Sequence, residues 1–134
     1  MSLQEDLDAV AAKVADYLHN VCGVQDFTIN SDGSIDVMPR LGKGDVIMFQ
    51  SQEKGLAVRF NHIKGDFICC YSELDNMKNF PKFVGGNLDI SFSKIRSLEE
   101  MPEYIDRHFI CTGCGFNETD IRSAATINGK VYCE

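Results

Sequence analysis

Positive charge is scarce in this chain. Its 13 lysines and arginines stand against 20 aspartates and glutamates, a formal net charge of -7, which opposes the counterion-releasing attraction on which most nucleic-acid binding relies. Apolar runs are short as well: nowhere do about 18 apolar residues follow one another, the length that a membrane-crossing helix needs. The N-terminus carries Glu5, Asp6 and Asp8 where a secretory leader carries bases and then an apolar stretch, so a cytoplasmic address is expected. Low-complexity, proline-rich and serine-rich tracts are missing, which excludes a disordered chain. No nucleophile motif, phosphate-cradling glycine loop or metalloprotease pattern occurs, and no enzymatic activity is expected. His62 with Asp66 and Asp89 is an acid-base set that the residue types allow, but outward acidic residues are more often simply solvated.

The 134 residues suffice for one domain with a real core and are too few for two ordinary ones. Six cysteines in a reducing compartment point to core packing or metal rather than to disulfides. Cys69 and Cys70 are adjacent on an expected strand, point to opposite faces, and should not pair with each other.

Leu3, Leu7, Val10, Val14, Tyr17 and Val21 recur in alternating steps of four and three, an amphipathic helix whose apolar stripe suits it to cover one end of a larger structure. Ser2 with Glu5 has the form of a capping box, and Gly23 supplies a helix-closing residue. Phe27-Thr28-Ile29 and Ile35-Asp36-Val37 alternate around Asn30-Ser31-Asp32-Gly33, a hairpin or an irregular first coil.

From Gly44 onward the chain repeats itself. Gly44-Asp45-Val46-Ile47-Met48, Gly65-Asp66-Phe67-Ile68-Cys69 and Gly86-Asn87-Leu88-Asp89-Ile90 follow at a spacing of 21 residues, the mark of a solenoid of short strands and return loops. Val46 and Met48, Phe67 and Cys69, Leu88 and Ile90 are the inward pairs on two-residue strand spacing. Leu74 and Met77 match Ile95 and Leu98, and Phe80-Pro81 matches Met101-Pro102; in the first coil Glu53 stands where the others have Leu74 and Ile95, while Leu56 keeps the next apolar position.

The stretch Phe80-Pro81-Lys82-Phe83-Val84-Gly85-Gly86-Asn87-Leu88-Asp89-Ile90-Ser91, with Lys94-Ile95-Arg96-Ser97-Leu98-Glu99 after it, resembles the short leucine-rich-like repeats of uncharacterised bacteriophage and bacterial proteins. The likeness runs over roughly residues 27 to 105. Where those repeats carry asparagine, this chain has Ser72 and Ser93. The resemblance implies a binding or structural scaffold in a bacterial or phage-infected cytosol and brings no catalytic residue. The expected fold is thus α/β, mostly β: a leucine-rich-repeat-like solenoid with an N-terminal helical cap over 1–23, repeats over 24–106 and a cysteine-rich cap over 107–134.

On this register Asp45, Ile47 and Phe49, Asp66, Ile68 and Cys70, and Asn87, Asp89 and Ser91 point outward. The apolar members suggest a protein contact. Phe109-Ile110-Cys111 repeats Phe67-Ile68-Cys69 and runs into Cys111-Thr112-Gly113-Cys114; Cys133 follows, after an Asn128-Gly129 pair that reads as a hairpin turn. Cys111, Cys114 and Cys133 with His108 as a fourth ligand are candidates for a structural zinc site, with core thiols as the alternative. Two functions are therefore expected in competition: a protein-interaction scaffold, or a zinc-containing nucleic-acid-binding accessory protein.

Overall fold

The computed structural model describes residues 3–48 and 51–134, and for residues 3–8 the course of the backbone alone. Among the described residues, helix α1 (Leu3–Asn20) is followed by β1 (Thr28–Ile29), β2 (Ile35–Val37), β3 (Val46–Ile47), β4 (Phe60–Ile63), β5 (Phe67–Ile68), β6 (Phe83–Val84), β7 (Leu88–Asp89), β8 (Tyr104–Ile105) and β9 (Phe109–Ile110). A short helix α2 (Glu118–Ala124) then precedes β10 (Thr126–Ile127) and β11 (Val131–Tyr132). The strands make a β-solenoid of about 5 turns. One sheet has six strands in the order β1-β2-β4-β6-β8-β10, and the other has five in the order β11-β9-β7-β5-β3.

Each coil therefore contributes two strands, one to each sheet, instead of the single strand that the repeat suggested. A coil runs along the six-stranded sheet, turns a corner of about three residues, runs along the five-stranded sheet, and returns by an extended arm. Neighbouring coils pair in parallel. Phe67 lies over Val46 and under Leu88, and Leu88 under Phe109, at the sequence period of 21. Because parallel partners in register are identical positions of successive repeats, like residues stack into columns. Val46, Phe67, Leu88 and Phe109 form one buried column, Met48, Cys69, Ile90 and Cys111 a second, and Ile63, Val84, Ile105 and Ile127 a third from the opposite sheet. Leu74 and Ile95 with Met77 fill the return side. Burying each of these larger side chains contributes about 1.5–3 kcal/mol, and repetition multiplies the gain.

The first coil is irregular, as its sequence foretold. β1 and β2 form an antiparallel hairpin (Thr28 opposite Asp36, Ile29 opposite Ile35) around the Asn30–Gly33 turn, closed by the Asn30 amide to Ser34 carbonyl bond at 2.8 Å. Between β2 and β4 the register slips at Ile35 and Asp36, and the Asp36 carboxylate bridges the irregularity by accepting from Asn61 Nδ2 at 2.9 Å and His62 N at 3.1 Å.

Helix α1 lies over this first coil with only part of its expected stripe. Val14, Tyr17 and the wholly buried Leu18 pack on the core, whereas Val10 and Val21 are exposed; Ser2, the Glu5 side chain, and those of Leu3 and Leu7 fall outside what is described. The apolar face turns because the helix meets the solenoid with its C-terminal half. Glu53 takes the position that later coils give to Leu74 and Ile95, and Tyr17 reaches it from the helix, donating its hydroxyl to Glu53 Oε2 at 2.8 Å while accepting from Ala57 N at 3.3 Å. The polar residue in the apolar column thus has its partner in the cap, which is why this coil and this helix belong together.

The last coil carries one extra residue. Tyr104 pairs with Thr126 and Phe109 with Val131, a step of 22 instead of 21, and the insertion is absorbed in the return arm, where α2 replaces extended chain. Asn117 caps α2 by accepting from Asp120 N at 2.8 Å. The expected hairpin across Asn128-Gly129 does not form. β10 and β11 belong to different sheets, and Asn128-Gly129 is the corner between them, with Asn128 N donating to Ile105 O at 3.0 Å and Gly129 N to Arg107 O at 2.8 Å. A local turn signal loses here because β8 and β9 already offer each strand a parallel partner.

Candidate functional site

The corner that joins the sheets is built from one repeated polar position. Asp45 Oδ1 accepts from Asp66 N at 2.8 Å, Asp66 Oδ1 from Asn87 N at 2.7 Å, Asn87 Oδ1 from His108 N at 2.9 Å, and His108 Nδ1 from Lys130 N at 2.9 Å. Each side chain thus caps the backbone amide one coil on. Asp45, Asp66 and Asn87, expected on the outward strand positions, are half-buried at the corner, and each uses one side-chain oxygen to hold the next coil. The signal was in the repeat: at one corner position, after glycine in three coils and after Arg107 in the fourth, four successive coils carry a residue that can accept a hydrogen bond. The glycines follow from the same packing. A Cβ on Gly65 would strike the Asp45 carboxylate, and one on Gly86 the Asp66 carboxylate and, at 2.8 Å, the carbonyl carbon of Gly65.

On the five-stranded sheet the outer face presents one column from end to end: Ile47, Ile68, Asp89, Ile110 and Tyr132. Ile47 is half exposed, Tyr132 is exposed, and Ile68, Asp89 and Ile110 are half-buried. Asp89 is tied into the sheet, its Oδ1 accepting from Ser91 N at 2.9 Å. Cys70 and Ser91, expected to point outward, are buried, because the chain has already begun to turn into the return arm there; Phe49 lies outside the described residues.

At that turn the structure shows a feature no sequence pattern announced. Tyr71, Phe92 and Gly113 occupy one position of successive coils and share a left-handed backbone, with φ of 54°, 57° and 81°. Large side chains rarely adopt this conformation, and it costs about 1–3 kcal/mol. The return is a stack: Tyr71 and Phe92 lie nearly parallel with ring centroids 4.9 Å apart, and the Phe92 ring covers Gly113 so closely that a Cβ there would sit 3.0 Å from it. Both rings remain about half exposed, at 54% and 49%. They border the apolar column of the sheet and continue it round the edge.

The opposite, six-stranded sheet shows Asp36, His62, Phe83, Tyr104 and Thr126. His62 and Phe83 face each other with centroids 5.6 Å apart. The acid-base set drawn from the sequence is not assembled, since His62 is on this sheet, Asp89 on the other, and Asp66 in the corner ladder.

Of the four candidate zinc ligands, the three cysteines lie in adjoining positions, whereas His108 lies at the corner. Cys111 belongs to the Met48-Cys69-Ile90 column, and Cys133 sits one coil later in the same column. Cys114 takes the position of Ser72 and Ser93, its thiol donating to Ile90 O at 3.3 Å. The spacing Cys111-x-x-Cys114 is thus produced by the coil itself. His108 is in the corner ladder, its ring edge-on to Tyr132 at 5.8 Å. Among the described residues no group of three or more His, Cys, Asp and Glu side chains is placed to hold an ion, and no helix is long and apolar enough to cross a membrane. No family model, curated protein or solved structure matches the chain.

All six thiols are free. Burial, with the Glu53 carboxylate adding to it, pushes the Cys22 thiol from 9.0 up to about 12, and burial with Cys114, Cys133 and Asp89 nearby does the same for Cys111. Since the unfolded chain releases these protons first, the stability they confer is whole below pH 9.0 and is lost as the pH rises towards about 12. Urea midpoints are expected to hold level up to that lower bound and then decline; a midpoint that rises in this window would contradict the buried placement. Under native conditions at neutral pH, Cys133, the only one of the six not fully buried, is expected to alkylate first, with Cys22, Cys69 and Cys111 reacting only after unfolding.

Proposed function

We propose that this protein is a non-enzymatic interaction scaffold that binds a protein partner through the outer face of the five-stranded sheet. The observation that carries this reading is the outer column Ile47-Ile68-Asp89-Ile110-Tyr132, apolar or aromatic at every place but Asp89 and continued at the edge by the stacked Tyr71 and Phe92. Such a face is rigid, because its strands are pinned on one side by the corner ladder. It also needs little reordering on binding, which lowers the entropic cost of association. Apolar and aromatic groups on a preformed flat surface are what a protein contact uses at its centre.

The test is a pair of proteins that differ only on this face. Ile47→Glu with Ile68→Lys replaces two outer side chains and leaves the inner columns untouched, so circular dichroism and urea midpoint are expected to stay close to wild type. Immobilised wild-type protein should retain a partner from its source lysate that the double variant loses by tenfold or more, about 1.4 kcal/mol or greater. Equal retention by both would overturn the assignment of the face.

A further inference from the structure

The outer face of the six-stranded sheet carries a feature that the partner-face reading does not use. Its column His62-Phe83-Tyr104 sets three rings beside one another at the spacing of paired strands. The row next to it, nearer the corner, runs Lys64, Gly85, Asp106 and Asn128, and Gly85 is its one member without a side chain. A Cβ at Gly85 would strike the Lys64 carbonyl oxygen and lie 2.9 Å from the carbonyl carbon, so the packing of the coils keeps a side chain out of this place. The result is a solvent-open hollow of about 420 Å³, bounded by His62, Phe83, Val84, Gly85, Tyr104 and Asp106. Asp106 is fixed at its rim. Asp106 Oδ1 accepts from the Tyr104 hydroxyl at 2.9 Å and from Asn128 Nδ2 at 3.0 Å, while its Oδ2 receives no hydrogen bond among the described residues. With His62 neutral, this carboxylate is the only formal charge among the residues that bound the hollow. Lys64, in the same row, has its ammonium on Pro39 O and Gly42 O at 2.9 Å and 3.4 Å, and Lys82 lines a different cavity with Phe80 and Met101. On the far side of His62, Asp36 adds a second carboxylate to the same face.

We infer that this hollow binds a small free molecule bearing a trimethylammonium group, of which choline is the representative, with the rings supplying cation–π contact and Asp106 the counter-charge. The lining selects this chemistry. A cation over an aromatic face is drawn by the ring quadrupole, and quaternary ammonium groups use that attraction most directly. An anion would be repelled by Asp106, and an uncharged apolar molecule would make no use of it. A guanidinium or a primary ammonium carries several N–H donors, and against one open carboxylate oxygen most of them would lose water without replacement, which is costly. Methyl groups have no such need and pack on the rings and the glycine floor, the mostly apolar lining with a single directing polar group that small-molecule sites share. In a phospholipid, the phosphate close behind the ammonium would be carried toward the same carboxylate, and the free molecule is therefore the assigned ligand.

The inference concerns the sheet opposite the proposed partner face and stands whether or not that face binds a protein. Its test is a choline titration of the isotope-labelled full chain followed by nuclear magnetic resonance. The amide signals of Gly85 and Asp106 are expected to shift and to saturate in the millimolar range. Neohexyl alcohol, the uncharged carbon isostere of choline, should bind about fivefold or more weakly. Phe83→Leu, which changes an outer side chain that is 39% exposed, should weaken choline binding about fivefold. Asp106→Asn keeps an acceptor for the Tyr104 hydroxyl and removes the charge; it should weaken choline by about the same factor and leave the isostere unchanged. Phe83→Leu carries the test if Asp106→Asn does not fold. Absence of a saturable shift with choline, equal affinity for the two ligands, or folded variants that bind choline as wild type does would overturn the inference. Cosedimentation with phosphatidylcholine vesicles that choline competes away would overturn the assignment to a free molecule.

Discussion

Replacing Phe67 by alanine is expected to lower the unfolding free energy by about 3–5 kcal/mol, a large share of the roughly 5–15 kcal/mol that holds a domain folded. Phe67 is wholly buried. Its ring meets Phe60 edge-on at 5.5 Å and Phe80 at 5.0 Å, linking the five-stranded sheet to the six-stranded sheet and to the return arm. The cost should lie at the high end, because the site cannot collapse around the missing ring: Val46 and Leu88, its neighbours in the column, are held at strand spacing by the sheet. Urea denaturation followed by far-ultraviolet circular dichroism measures the change. A loss below about 1 kcal/mol would show that the columns do not carry the stability assigned to them.

Gly86→Ala should have a comparable effect for a different reason. The added methyl group would meet the backbone of Gly65 and displace the Asp66 carboxylate from the amide of Asn87. Overpacking of this kind costs about 1–3 kcal/mol, and the broken charge-assisted rung about 1.5–3 kcal/mol more, so a total of about 2.5–6 kcal/mol is expected. Part of this cost comes from the collision with a side chain, and so Asp66→Ala should cost less in the Gly86→Ala background than alone. A double-mutant cycle gives the coupling directly. Strict additivity of the two substitutions would mean that the corner ladder and the corner glycine are not one device.

Much of the solenoid was legible in the chain. The period of 21 put Val46, Phe67, Leu88 and Phe109 in one column, because parallel strands in register stack like upon like, and a repeat in sequence then becomes a repeat in space. Even the misfit of Glu53 could be read as a mark of the terminal coil. The site was much less legible. Asp45, Asp66 and Asn87 alternate with inward residues just as partner-binding residues would, and only the rise between coils, which brings each carboxylate or amide oxygen to the next coil's N–H, reveals that they are already occupied.

What the sequence by itself determined is thus the unit: its length, its inner columns, its prolines and its helical cap, all set by local spacing and hydrophobic pattern. The tertiary structure decided how many sheets the unit feeds and what its polar groups do. Asn128-Gly129 became a corner instead of a hairpin because β8 and β9 were there to pair with. Cys111 and Cys114 fell into a core column and a serine column because they stand at the coil positions of Cys69 and Ser72. In each case the deciding contact joins residues one coil apart, and such a contact has no local signature until the coils are stacked.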